Sequence, residues 1–225
     1  MKTFSDFLSE GVNDPAIFKA VFLAGGPGSG KSFIAGKTAL STFGFRVVNS
    51  DDAFENAMKK AGMEMNPENI FSVKGQEIRG KATKLTATKK EIYLKGRLGI
   101  VIDGTGKDAN KISKQKKELE KMGYETAIII VNTNIGTAVD RDAKRKRSIG
   151  KKMLEPMWQA VQDNIGRFQR MFGKENTYIV DNSDGKDFKK ETMLAYRGIG
   201  AWSKKPPQAP LAKKWIKQQK KQKTR

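Results

Sequence analysis

"VFLAGGPGSGKSFIAGKT", residues 21–38, decides how the rest of the chain reads. A short apolar run enters it, glycines crowd its middle, and a lysine and a serine close it before a helix-like pattern. Gly25, Gly30, Lys31 and Ser32 satisfy G-x-x-x-x-G-K-S/T in the setting that the pattern requires, a strand before it and a helix after it. Glycine lets the backbone curl so that successive N–H groups face a phosphate, and a helix N-terminus adds partial positive charge. The residues expected to hold a nucleotide are therefore Gly25, Gly26, Pro27, Gly28, Ser29, Gly30, Lys31 and Ser32. Lys31 would reach the β- and γ-phosphates of ATP, and the Ser32 hydroxyl would join a Mg²⁺ ion.

Outward from this loop, short apolar runs alternate with longer helical patterns. The candidate strands are 19–24, 45–49, 99–103, 126–131 and 178–180, separated by helical stretches near 31–42, 52–62, 76–97, 108–122, 134–147 and 153–172. Continuously apolar strands set between helices predict an α/β fold, a doubly wound parallel sheet of about five strands of the P-loop NTPase type. Residues 1–17 read as a leader, 18–200 as the phosphate-loop domain, and 201–225 as a basic linker and tail. Within the domain, 63–98 reads as a lysine-rich helical insertion on the substrate side, and 140–152 as a basic lid. After Asp181 the helical pattern decays. "SKKPPQAP" (203–210) reads as an extended linker, because adjacent prolines remove donors and forbid helix. Beyond it lies a short basic helix with Leu211, Trp215 and Ile216 on one face.

Composition narrows the chemistry. With no cysteine and no histidine among 225 residues, thiolate metal sites and imidazole acid–base work are excluded, and proton transfer falls to carboxylates, lysine, tyrosine or water. No apolar run approaches the roughly 20 residues of a membrane helix, and the N-terminus lacks an apolar signal segment, so a cytoplasmic address is expected. The net charge is +20, and residues 201–225 hold eight lysines and one arginine with no acid. Such a field favours polyanionic partners, nucleic acid through the tail among them, and it serves equally well as a solubility device.

Three further segments fall at strand ends, where ligands of open α/β sheets gather. "RVVNSDD" (46–52) sets Asp51 and Asp52 after the second strand, either to take a hydroxyl proton or to cap the next helix. "GIVIDGTG" (99–106) sets Asp103 after the third strand, beside the phosphate loop, as a metal-ordering acid or as a turn former. "DRDAKRKRSIGKK" (140–152) carries Arg141, Arg145 and Arg147, whose charge over a transferring phosphoryl group would stabilise its oxygens. "IVDNSDG" (179–185) follows the last strand and could line an adenine pocket through its backbone and Asn182. Phe168 and Phe172, at helical spacing, read as core.

Taken together, these motifs resemble the P-loop kinases of the zeta-toxin and polynucleotide-kinase group. "GGPGSGKS" looks like their phosphate loop, "VVNSDD" their second-strand motif, "VIDGT" their third-strand motif, and "DRDAKRKR" their arginine-bearing lid; "VDNS" is closer to the zeta-like members. The resemblance implies an ATP- and Mg²⁺-dependent kinase. Asp51 would be the base, Lys31, Arg145 and Arg147 the charge stabilisers, and Ser32 with Asp103 the metal residues. The acceptor would be a nucleotide, a nucleotide sugar or a similar anion; the alternatives are a polynucleotide 5′-hydroxyl end, or a nucleotide-switched nucleic-acid-binding module without kinase activity. Polynucleotide kinases of this kind carry arginine three residues after the base, where this chain has Phe54. The opening "MKTFSDFLSE" resembles the leader of many proteins of large tailed phages, which would place the protein in a host cytoplasm.

Overall fold

Five apolar runs pair as one parallel sheet in the computed structural model, which describes residues 11–35, 39–145 and 148–223. The strands are β1 (Lys19–Ala24), β2 (Arg46–Val48), β3 (Ile100–Asp103), β4 (Glu125–Asn132) and β5 (Thr177–Asp181), in the spatial order β2-β3-β1-β4-β5. β1 is central and buried along its whole length, as a strand covered on both faces must be. Alternate side chains serve opposite layers. Phe22, Ile102, Ile128 and Ile130 pack on one face with Phe168 and Phe172, and Val21, Leu23, Val101 and Ile129 pack on the other with Ile34, Ile199 and Trp202.

The covering helices are α1 (Lys31–Ala35), α2 (Ala39–Thr42), α3 (Ser50–Lys60), α4 (Pro67–Phe71), α5 (Val73–Lys95), α6 (Ala109–Lys121), α7 (Ile135–Ala143), α8 (Lys151–Phe172), α9 (Phe188–Ser203) and α10 (Pro210–Lys223). Of the helix expected over 31–42, the described residues 31–35 and 39–42 are helical, and 36–38 lie outside the described residues. The stretch expected over 76–97 is one helix over 73–95, preceded by α4; Ser72 parts the two and accepts from the Gly75 amide at 3.0 Å, capping α5. α3, α4 and α5 share a small core of their own, Phe54, Met58, Ile70 and Ala82. Burying Phe54 there contributes about 2–3 kcal/mol. The Arg79 guanidinium lies 4.9 Å from the Phe54 ring centre.

α9 replaces the expected decay of pattern after Asp181. Asp187 caps it through the Lys190 amide at 3.0 Å. The Ala212, Trp215 and Ile216 face of α10 packs on the core, with Trp215 meeting Phe18 edge-on at 5.5 Å. Leu211, expected on that face, is 56% exposed, and Ala212 is fully buried in its stead. The Gln208 amide donates to Glu125 Oε1 at 2.5 Å. The other Glu125 oxygen pairs with Lys19, which is itself fully buried, with its ammonium 4.8 Å from the Trp202 ring. These contacts fall on or just before the first residues of β1 and β4, so α10 docks at the N-terminal edge of the sheet, opposite the phosphate loop. Val12, Ala16 and Ile17 are buried at this edge too, and Asp14 pairs with Arg46 at 2.6 Å. Of the expected leader, residues 1–10 lie outside the described residues. Among the described residues, no helix is long and apolar enough to cross a membrane.

Candidate active site

The phosphate loop leaves the C-terminal end of β1 and is held on three sides. Gly25 donates its amide to the Thr105 carbonyl at 3.1 Å. Gly28 and Gly30 have φ of +76° and +88°, which side chains rarely adopt. Space forbids a side chain there as well: a Cβ on Gly28 would lie 2.5 Å from the Ala138 carbonyl of α7, and one on Gly30 would lie 2.3 Å from Asn182 Nδ2. The Ser29 hydroxyl is 2% exposed, turns back toward Gly25, and has no hydrogen-bond partner among the described residues.

Strand register places the first acid. Leu23 of β1 lies opposite Asp103 of β3, so the carboxylate falls one residue short of the loop's entry. Lys31, in the first turn of α1, forms an ion pair with Asp103 Oδ1. The other oxygen, Oδ2, accepts from the Asn49 amide at 2.9 Å. The same amide lies 3.4 Å from Asp52 Oδ1. A polar chain thus runs Lys31, Asp103, Asn49, Asp52 across the ends of β1, β3 and β2.

Asn49, rather than either aspartate, is the N-cap of α3, accepting from the Asp51 amide at 2.8 Å. Asp51 and Asp52 both sit in the first helical turn, exposed to solvent. Asp52 is the one in electrostatic contact with the rest of the site. Partial desolvation on the side facing the site, followed by the charges of Asp103, Asp51 and Glu55, pushes its carboxyl above the ordinary value, while Lys31 pulls the other way. Sequence reasoning missed Asn49. The signal was there: Asn followed three residues later by Asp at a helix start has the form of a capping box.

Asn182, expected to line an adenine pocket, reaches the phosphate loop. It is 7% exposed, and its amide donates to the Ser29 carbonyl at 2.7 Å, so its side chain supports the phosphate loop from behind. Arg141 donates to the Asn182 carbonyl at 3.0 Å and lies 3.8 Å from Asp184, tying α7 to the exit of β5. Arg145 is exposed just after α7, and Arg147 lies outside the described residues. Ser32 is exposed beside Lys31.

The family model described as Zeta toxin matches residues 12–192. The chain belongs to the zeta toxin family. As a member of that family it is a P-loop kinase. Among solved structures, a chain of the AvrRxo1-ORF1:AvrRxo1-ORF2 complex with sulphate ions is similar at a TM-score of 0.53 and 14% identity, over 79% of this chain. This zeta toxin family member spans 62% of that longer chain. The PezAT chromosomal toxin-antitoxin system of Streptococcus pneumoniae is similar at a TM-score of 0.50 and 15% identity, covering 89% of this chain and 94% of that one. At these identities the likeness is one of fold. By sequence, no curated protein matches.

Proposed function

We propose that this kinase moves the γ-phosphoryl of ATP to a hydroxyl of a nucleotide, a nucleotide sugar or a similar anionic acceptor, in the cytoplasm. The observation that carries the reading is the Lys31–Asp103 ion pair at the mouth of the phosphate loop, continued through Asn49 to Asp52 at the next strand end. ATP as donor is supported by the fold neighbour AvrRxo1-ORF1:-ORF2, which has been solved with ATP.

The residues present suit Mg²⁺ brought in by the nucleotide. Among the described residues no group of three or more acids forms a cage, and Mg²⁺ commonly takes one or two protein ligands besides substrate phosphates and water. Ser32 and Asp103 would hold it, and the ion would neutralise charge on the β- and γ-oxygens. Lys31 leaves Asp103 for the phosphates. Asp51 takes the proton of the accepting hydroxyl, and Arg145 and Arg147 stabilise charge on the transferring group. A second assignment of the base is Asp52, favoured by its raised pKa and its place in the polar chain. Asp51→Asn and Asp52→Asn separate the two, since the variant lacking the base loses kcat and the other keeps it.

Phe54 is 1% exposed in the small α3–α5 core, so the position that carries arginine in polynucleotide kinases offers no contact to a polynucleotide end. This favours a small acceptor. Nucleic acid remains a candidate partner at α10, where Lys213, Lys217 and Lys221 border a groove of about 510 Å³ over Pro206, Pro207 and Ile216.

The test is transfer from γ-labelled ATP with Mg²⁺ to a panel of nucleotides, nucleotide sugars and 5′-hydroxyl oligonucleotides. A labelled small molecule supports the proposal, and label on the oligonucleotide alone replaces it with the polynucleotide reading. Lys31→Ala should lower the rate by about 10²-fold or more, and a wild-type rate in that variant would sink the mechanism.

A further inference from the structure

Within "DRDAKRKRS" (140–148), Asp142 looks like one more charge on a solvated segment. In the folded chain it is 3% exposed. Its backbone carbonyl accepts from the Arg145 amide at 3.0 Å. Its carboxylate Oδ2 accepts from the Ser148 hydroxyl at 2.7 Å, the Ile149 amide at 3.0 Å and the Gly150 amide at 3.1 Å. One residue therefore grips the basic loop at both ends, with the carboxylate's burial offset by three donors.

The same carboxylate serves the next helix. Gly150, at the N-cap of α8, has no side chain to cap it, and Asp142 supplies an anion from the end of α7, where a helix start favours negative charge. Both helices are seated on the phosphate loop. Ala138 of α7 blocks any side chain at Gly28, and the Trp158 Cα of α8 lies 3.7 Å from where a Cβ on Gly26 would be. The Trp158 indole also donates to the Thr133 carbonyl at 2.7 Å, at the entry to α7. From Ala138 to Ala143 the helix rises only about 8 Å. The loop thus springs from two short arms fixed to the phosphate site, and Asp142 ties those arms together. Four like charges stand in succession in the sequence from Lys144, and their mutual repulsion works against a fixed loop, which the tie opposes.

We infer that Asp142 is a positioning residue that presents Arg145 to the phosphoryl group in flight. The inference rests on the phosphotransfer reading above, and its test separates the two. Turnover of γ-labelled ATP is measured for Lys31→Ala, Arg145→Ala, Asp142→Ala, Asp142→Asn, Ser148→Ala and the Asp142→Ala/Arg145→Ala double variant, alongside KM for ATP and the melting temperature. Asp142→Ala is expected to lower kcat about tenfold or more with KM for ATP changed less than about threefold, and Asp142→Asn less severely. The double variant should fall short of the product of the single effects by about threefold or more, because Asp142 acts through the arginine.

Multiplicative effects, or an unchanged kcat in Asp142→Ala, overturn the positioning role while leaving the kinase reading intact. Full turnover in Lys31→Ala overturns both. Should Asp142→Ala fail to fold, Ser148→Ala carries the test: it removes one donor, and an unaltered kcat together with unaltered trypsin cleavage after Lys144 and Arg145 counts against the tie.

Discussion

Asp103 stands at the crossing of the site's contacts, holding Lys31 with one oxygen and Asn49 with the other. Asp52 feels that crowding. Its raised pKa means that, between the unfolded value of 3.8 and the higher folded value, the native state binds more protons than the unfolded state. Stability therefore falls as pH rises through that window. Asp52→Asn removes the cost, so the nucleotide-free variant is expected to melt higher than wild type at pH 7, with the advantage gone well below pH 3.8. Thermal melts at the two pH values check it, and a variant that melts lower at pH 7 would show that Asp52 instead gains from its neighbours. At the same scale, Gly28→Ala combines a left-handed φ with a carbonyl 2.5 Å from the new Cβ. A loss of about 2 kcal/mol or more, together with weakened ATP binding, is expected in urea unfolding and nucleotide titration.

Among the elements, α9 shows why part of the fold was hidden. Gly198 and Gly200 weaken a helical pattern by about 1 kcal/mol each, and for that reason the stretch after Asp181 reads as decay. In the structure they are contact points: a Cβ on Gly198 would lie 2.2 Å from the Tyr178 ring, and one on Gly200 would lie 2.8 Å from Phe43. Gly198→Ala is therefore expected to destabilise by about 1–3 kcal/mol, since overpacking outweighs the propensity gain; urea midpoints decide the sign. The five strands were legible because each is a short run, most of them continuously apolar, between turn signals, and the phosphate loop because its glycines sit in a strand–loop–helix setting that holds phosphate. Asp103 was legible from strand-end logic. The roles of Asn49, Asn182 and Asp142 were not, because each depends on a partner reached through tertiary packing. Ser29 is 153 positions from the Asn182 amide that it accepts from.

At the scale of the whole molecule, the net charge of +20 is laid over a body whose last helix is structural. Removing residues 204–225 would uncover Phe18 as well as delete lysines, so a truncation confounds packing with charge. Replacing Lys213, Lys217 and Lys221 with glutamine in place leaves Ala212, Trp215 and Ile216 docked. Binding of a single-stranded DNA by wild type should weaken steeply with salt. The triple variant should have a shallower slope by about two, since each phosphate that a lysine ceases to neutralise takes roughly 0.7 from it. An unchanged slope would place the binding elsewhere. The position of α10 also acts as a ruler. β1 is six residues long, about 20 Å at strand rise, and it separates the lysine groove from the phosphate loop. At about 3.4 Å of axis per base pair, a duplex lying in the groove must run on for about six more base pairs before its end comes level with Asp51. Oligonucleotides shorter than this occupy one end of the molecule or the other, and longer ones can bridge both.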